Sequence, residues 1–313
     1  MRVTYSKLKQ MKFIKVTNNT GFSVTFCNLG AAIFMMEYCG EVMTRNVKNY
    51  IDFMHPKCFY GKTIGRVANR IKGNKITVNG KEYRIETNEN GNCLHGGLKG
   101  TMKHYYTYRT VVNDGNLRLI FETSSKHLEG GFPGNMKIKV TYVIYENSAA
   151  LDVFYEAITD RDTPVNFTNH SYFTLGDKNL STLKLWLNSH YLIETDDELC
   201  PIKKVPITKD TDFNHGKLLN VIGDDFKIDS FFFCDHSKEP IILENDRYVL
   251  GVFSNFDGAQ IYTSHLKEKF PLDGDAPLYN SLAIEPTDNY LYQNILKPGV
   301  TYRRYIRYRL RTK

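Results

Sequence analysis

The chain has 313 residues, 42% hydrophobic and 24% charged, a balance that excludes disordered and fibrous classes and fits an ordinary globular protein. Its net charge of +7 is scattered apart from Arg303, Arg304, Arg307, Arg309, Arg311 and Lys313, and no binding-fold signature accompanies it, so nucleic acid is excluded as a partner. Six dispersed cysteines without a Cys-x-x-Cys pair, no apolar signal core and no run near the roughly 20 apolar residues of a membrane span predict a cytoplasmic protein with free thiols.

Taken in chain order, the pattern is one of strands. Helical periodicity is weak, and the best place for a short helix is Asn46 to Phe53. Ile76-Thr77-Val78 and Tyr83-Arg84-Ile85 flank Asn79-Gly80, a tight-hairpin signal, and Asp114-Gly115 marks a second turn before Leu117. Leu117–Glu122, Met136–Tyr145, Leu151–Glu156 and Ala259–Thr263 alternate apolar and polar residues, which sends successive side chains to opposite faces of a sheet. Ser281-Leu282-Ala283-Ile284-Glu285-Pro286 reads as an apolar strand that ends on a carboxylate at a sheet rim. In the final segment, Arg303, Arg307, Arg309 and Arg311 share one face, as expected of a solvated edge strand that resists aggregation. The 21 tyrosines and 19 phenylalanines suit strand faces packed into a core. No linker or repeat interrupts the rhythm. These features predict one all-β domain spanning residues 1–313, either a sandwich or a barrel.

Five segments carry residues capable of chemistry: Gly65–Ile71, Leu94–Gly97, Asn166–Phe173, Lys227–Phe231 and Ser281–Asn289. Other motifs fail on inspection. Gly61-Lys62-Thr63 ends like a phosphate loop, but Pro56 stands where that loop needs glycine, and no helix is predicted to follow. The nine histidines include no His-x-x-x-His pair, so no metal site is predicted. No Gly-x-Ser-x-Gly elbow points to a serine nucleophile. The single Trp186 is read equally as a sugar-stacking ring and as a packed one.

In combination and in order, these segments resemble the aldose 1-epimerase (galactose mutarotase) family. Arg66-Val67-Ala68-Asn69-Arg70, His95-Gly96-Gly97, Gly131-Phe132-Pro133-Gly134-Asn135 and Thr168-Asn169-His170-Ser171-Tyr172-Phe173 carry the likeness, which runs from the Asn18–Ala31 stretch to Leu296-Lys297-Pro298-Gly299. The resemblance implies a single large antiparallel β-sandwich with few short helices. It also implies interconversion of the α and β anomers of free aldohexoses such as D-galactose and D-glucose, without a cofactor or metal. Residue by residue, Glu285 matches the general base and His170 the general acid. Arg66, His95 and Asp229 match substrate ligands, with Asn69 and Tyr262 as neighbours. The implied partner is a small sugar, with no nucleic acid or membrane, and the implied assembly is a monomer or homodimer. Where many members have other residues, this chain has Thr101 and Met102 after the glycine pair, Ser230 after Asp229, and Ser264-His265-Leu266 after the Tyr262-Thr263 pair. These departures put sugar preference in question but leave the proton-transfer pair intact.

The residue types suit the reaction on physical grounds. Anomer exchange moves two protons and requires one base and one acid, and a positioned pair contributes about 10²–10⁴ in rate. An unperturbed glutamate titrates near about 4.3 and needs partial burial to become an effective base, a rise that Arg66 is expected to oppose. Imidazole already titrates near neutrality. Two other readings keep the sugar. A hexose-6-phosphate mutarotase would need a cationic cluster for the phosphate, and a non-catalytic sensor would have little reason to keep both Glu285 and His170.

Overall fold

The computed structural model describes residues 1–219, 227–235, 241–264 and 280–313. A nine-stranded sheet runs, from one edge to the other, Thr107–Asn113, Asn116–Ser125, Met136–Ile144, Ala150–Thr159, Tyr302–Thr312, Tyr248–Ser254, Ile241–Glu244, Lys184–Leu187 and Lys217–Leu218. A seven-stranded sheet faces it, ordered Pro201–Pro206, Ser189–Thr195, Asp229–Cys234, Gly258–Thr263, Leu282–Thr287, Tyr172–Phe173 and Thr44–Arg45. A five-stranded sheet, from Arg2–Leu8 to Glu41–Val42, follows chain order and closes one side. Neighbours in all three sheets pair antiparallel. The antiparallel sandwich is therefore observed, and the helical elements among the described residues are short 3-10 turns. The helix expected over Asn46 to Phe53 is reduced to one such turn, Asp52–Met54.

Alternation explains the layering. Phe121, Val140, Tyr142, Val153, Tyr155, Ile306 and Tyr308 point inward from the large sheet and pack with Phe173, Phe232, Ala259, Ile261, Leu282 and Ile284 of the other. Burying each such side chain is worth roughly 1.5–3 kcal/mol, so this shared layer fixes the register of both sheets. The two turns form as expected. Asn79 and Gly80 have φ of 50° and 74°, and Asp114 and Gly115 have φ of 49° and 74°, the left-handed pair that matches hairpin twist.

The last strand corrects an expectation. Tyr302–Thr312 is an interior strand, flanked by Ala150–Thr159 and Tyr248–Ser254. Its charges are tolerated because carboxylates stand beside them: Arg307 grips Asp152 with two bonds of 2.6 and 2.7 Å, and Arg303 faces Glu156 across the ladder. Trp186 lies in the same large sheet, donating to Glu244 at 3.2 Å with Lys184 over its ring, and is no sugar-stacking residue of the pocket described next.

Candidate active site

One face of the seven-stranded sheet is core and the opposite face is polar. Glu285 stands directly across from Gln260, and Tyr262 stands across from both Ala283 and Asp229. Tyr172 pairs with Ala283 from the other side. Directly opposed residues share a face, so Asp229, Gln260, Tyr262, Tyr172 and Glu285 project together, while Ile261 and Ile284 point into the core. Glu285 is not the end of its strand, as its sequence suggested. The strand continues through Pro286 to Thr287, and the carboxyl is only 2% exposed.

The polar face forms the floor of a pocket of about 470 Å³. Its walls come from three loops. The segment from His55 to Tyr60 supplies Phe59, whose ring stacks 5.6 Å from His170 and meets His95 edge-on at 5.0 Å. The Asn166–Phe173 segment supplies His170, sandwiched between Phe59 and Tyr172, the latter at 4.9 Å. His170 is anchored through its backbone, which donates to Lys62 O at 3.0 Å and accepts from Gly61 N–H at 2.8 Å. The third wall holds Asn69 and His95, both with left-handed backbones, at φ of 64° and 55°. They are tied reciprocally: His95 N–H donates to Asn69 O at 3.1 Å, and Asn69 N–H donates to His95 Nδ1 at 3.2 Å. Gly96 makes the turn possible, since a Cβ there would stand 2.3 Å from Gly65 O.

His170 Nε2 and Glu285 Oε1 are 3.3 Å apart. The expected acid and base therefore open into the same cavity. Burial pushes the Glu285 carboxyl well above the ordinary range, helped by the charge of Asp229 and opposed by Arg70. Burial also holds the His170 imidazole down at about 3. His95 is pulled well below its usual value by burial, then by His170 and Arg70. Asp229 is raised by burial, against the pull of Arg70, Lys227 and a 2.7 Å bond from Gln260 Nε2. Glu285 Oε2, His170 Nδ1 and Asn69 Nδ2 are buried without a hydrogen-bond partner. All three belong to residues that line the pocket, whereas other unsatisfied buried atoms, the hydroxyls of Tyr106, Tyr155 and Tyr308 among them, lie in the hydrophobic core.

His95, His170 and Glu285 also bring ligating atoms within 4.8 Å of one another, the spacing of a metal site. The donor set does not fit. Because His95 Nδ1 accepts the Asn69 N–H, the neutral ring carries its hydrogen on Nε2, leaving no free lone pair there for a cation. His95 is thereby fixed as a donor, the form that suits an oxygen of a bound polyol.

A sequence profile of the aldose 1-epimerase family matches residues 12–309. The chain belongs to that family, and is an isomerase. It is 31% identical to an aldose 1-epimerase of Streptococcus thermophilus over 269 residues, covering 80% of this chain and 76% of that protein. It is 32% identical to a galactose mutarotase of Sus scrofa over 232 residues, covering 70% of this chain and 65% of the porcine protein. Among solved structures, a galactose 1-epimerase of Lactobacillus acidophilus superposes with a TM-score of 0.91 at 22% identity, covering 100% of this chain and 99% of that one. That likeness speaks to fold alone. An aldose epimerase homologue of C. elegans superposes with a TM-score of 0.85 at 25% identity, covering 96% and 98%.

Of the residues expected at the family's site, Glu285, His170, His95, Asp229, Asn69 and Tyr262 all line this pocket. Arg66 does not. It is buried behind the wall, where Nε donates to Ser125 Oγ at 3.0 Å. Nη1 donates to Pro133 O at 2.8 Å and Thr163 Oγ1 at 3.3 Å, and Nη2 to the carbonyls of Ser125, Lys126 and Gly134 at 3.1, 2.9 and 2.9 Å. Burial lowers its guanidinium to about 10, against the pull of Glu129 and Asp160. The arginine of the pocket is Arg70, four residues on, held by Glu89 at 2.6 and 3.3 Å. Burial disfavours its charge, but the Glu89 bonds outweigh that and raise it. The sequence contained the signal, since both arginines lie in the Gly65–Ile71 motif, but nothing in spacing alone says which turns inward. Gln260 and Tyr172 were also missed as wall residues, and Gln260 could have been inferred from its alternation with Tyr262. Thr101, Met102 and Ser230 do not line the pocket: Met102 packs with Ile64 and Ala68 behind Phe59, and Ser230 points away from Asp229's face. Leu266 lies outside the described residues.

Proposed function

We propose that this protein interconverts the α and β anomers of free aldohexoses such as D-galactose and D-glucose, with Glu285 and His170 as the proton-transfer pair. The 3.3 Å approach of these two groups in a cavity they share with Asn69, Arg70, His95 and Asp229 carries the reading. The anomeric hydroxyl oxygen and the ring oxygen are bonded to the same carbon, so their base and acid must also be neighbours. Glu285, ionised, takes the proton of the C1 hydroxyl. The electrons of that O–H bond form the C1 carbonyl, the C1–O5 bond breaks, and its electron pair takes a proton from the His170 imidazolium. Rotation about C1–C2 exposes the other face of the aldehyde. The two residues, now Glu285 protonated and His170 neutral, run the same steps backwards to give the opposite anomer.

The pair carries one proton throughout, and burial decides where it rests. Desolvation favours the neutral arrangement, with the proton on Glu285, which is the arrangement that closes the ring. Ring opening starts from the charged arrangement, one proton transfer away across the 3.3 Å gap. Sugar hydroxyls hydrogen-bonded to either charge would bring the two arrangements closer in energy. His95 donates, Asp229 accepts, and the Arg70 guanidinium and the Asn69 amide supply further donors to ring hydroxyls. The test is polarimetry on freshly dissolved α-D-galactose and α-D-glucose. The protein should speed the approach to the same final rotation, and sugar binding with an unchanged rate would refute the enzyme in favour of a sensor. Lys57 and Lys227 on the pocket wall favour one further arm, hexose 6-phosphate as substrate. Acceleration confined to the phosphorylated sugar would identify those lysines as its anion site.

A further inference from the structure

Outside the proton-transfer pair, a chain of polar side chains crosses the pocket floor to a residue beyond it. Tyr290 OH donates to Gln260 Oε1 at 3.2 Å, and Gln260 Nε2 donates to Asp229 Oδ1 at 2.7 Å. Gln260 lies directly opposite Glu285 in the ladder and is 4% exposed. Tyr290 does not line the pocket. Its ring packs edge-on against Phe231 at 5.7 Å, on the far side of Gln260.

A carboxamide can sit two ways round, and only one suits a carboxylate neighbour. With its oxygen towards Asp229, Gln260 would set two acceptors against each other. The Asp229 carboxylate, an acceptor only, draws the NH₂ to its side, and the Tyr290 hydroxyl, donating to the amide oxygen that this leaves on the other side, holds the carboxamide in that orientation. We propose that Tyr290 is a positioning residue, acting through the orientation of Gln260 to hold Asp229 as an ionised acceptor for sugar hydroxyls. The inference rests on the mutarotase reading and names residues that deepen it. The charged groups around Asp229 are consistent with the arrangement: Arg70 and Lys227 favour its ionised form, Glu89 opposes it, and Asp229 in turn opposes ionisation of Glu285. Losing the Tyr290 hydroxyl therefore loosens Asp229 and lets it take a proton more readily.

The experiment compares wild type, Tyr290→Phe, Gln260→Leu and the double variant by polarimetric initial rates on α-D-galactose across pH, with thermal melts alongside. Tyr290→Phe keeps the ring contact with Phe231 and is expected to fold normally. Its KM should rise roughly three- to tenfold, the worth of one hydrogen bond, with kcat changed by less. The acid limb of kcat/KM should move to higher pH, because an Asp229 that holds a proton more readily needs a higher pH to become the acceptor, a change that loss of packing alone would not produce. Added to Gln260→Leu, the Tyr290 change should cost nothing further, because its route to Asp229 is already cut. An unshifted acid limb and unchanged KM in an active enzyme would overturn the positioning role alone, as would a full additional cost in the double variant. A wild-type protein that leaves the rotation rate unchanged on every sugar would overturn the mutarotase reading as well.

Discussion

Two buried polar clusters, reached by arginines only four residues apart, Arg66 and Arg70, differ in one respect. Around Arg66 each guanidinium nitrogen donates to Ser125, Lys126, Pro133, Thr163 or Gly134. Around Glu285 and His170, at least three polar atoms have no partner. The first cluster is finished by folding: it ties the Ser125–Gly134 loop to the segment that joins the strands Thr63–Ile64 and Arg70–Ile71. The second is left incomplete, and the incompleteness is costly, since a buried unsatisfied group costs about 1–3 kcal/mol. Residue type alone does not draw this distinction, because each side has its arginine, Arg66 in the first and Arg70 in the second.

The sharpest way to break the comparison is to remove charge from each cluster in turn. Glu285→Gln should cut the rate of mutarotation by about 10²–10⁴, as expected for loss of a positioned base. It should leave thermal stability at neutral pH equal to or above wild type, because a carboxyl that burial disfavours as an anion has been replaced by a neutral amide. Polarimetry and thermal melts on the same samples check both halves, and a stability loss with partial activity would mean that Glu285 belongs to the structural class. Arg66→Met should do the reverse. Four backbone carbonyls would lose their donor inside the protein, at a cost of about 3 kcal/mol or more in urea denaturation, while kcat per folded molecule stays near wild type. A variant of normal stability with impaired sugar binding would return Arg66 to the site.

Arg70→Gln sharpens the same point at smaller scale. Its guanidinium contacts Glu89 and the pocket rather than a shell of carbonyls. The expected result is a rise in KM of roughly tenfold, the worth of one charged hydrogen bond, with little loss of stability. Equal losses of KM and stability would place Arg70 with Arg66.

How much of this was legible beforehand follows from what a sequence encodes locally. Alternation in Met136–Tyr145 and the Asn79-Gly80 and Asp114-Gly115 turns are local signals, and they read through to the fold. The status of Tyr302–Thr312 was not legible, because an arginine-rich strand looks like an edge until the partners Asp152 and Glu156, some 150 residues away, are beside it. The site was legible as a set of segments, through their order and residue types. The choice between Arg66 and Arg70 was not, since it depends on the carbonyls of a remote loop. Glu285 illustrates the same limit: proline after it reads as a strand end, whereas the ladder with Gly258–Thr263 continues past it and buries the carboxyl.

The smallest effect is the most specific test, because it reads protonation of the pair in the folded protein. The His170 ring takes its proton only near about 3, whereas an imidazole in the unfolded chain takes one near about 6.5. Between those values the unfolded state binds more protons, so this residue's contribution is complete above about 6.5 and is lost as pH falls. Glu285 works in the opposite sense. Its folded carboxyl keeps a proton above the roughly 4.3 at which the unfolded carboxylate has lost one, so its contribution declines as pH rises through that interval. Above about 4.3 and below about 6.5 the contributions of these two residues have opposite slopes. Urea denaturation across this range should then show Glu285→Gln gaining stability with rising pH more steeply than wild type, and His170→Asn gaining less or declining. His95 feels the charge of His170, and Asp229 is coupled to Glu285, so the test is read from the sign of each slope difference and not from its size. Parallel curves would mean that water reaches both side chains freely, and the contrast with the closed Arg66 cluster would fail.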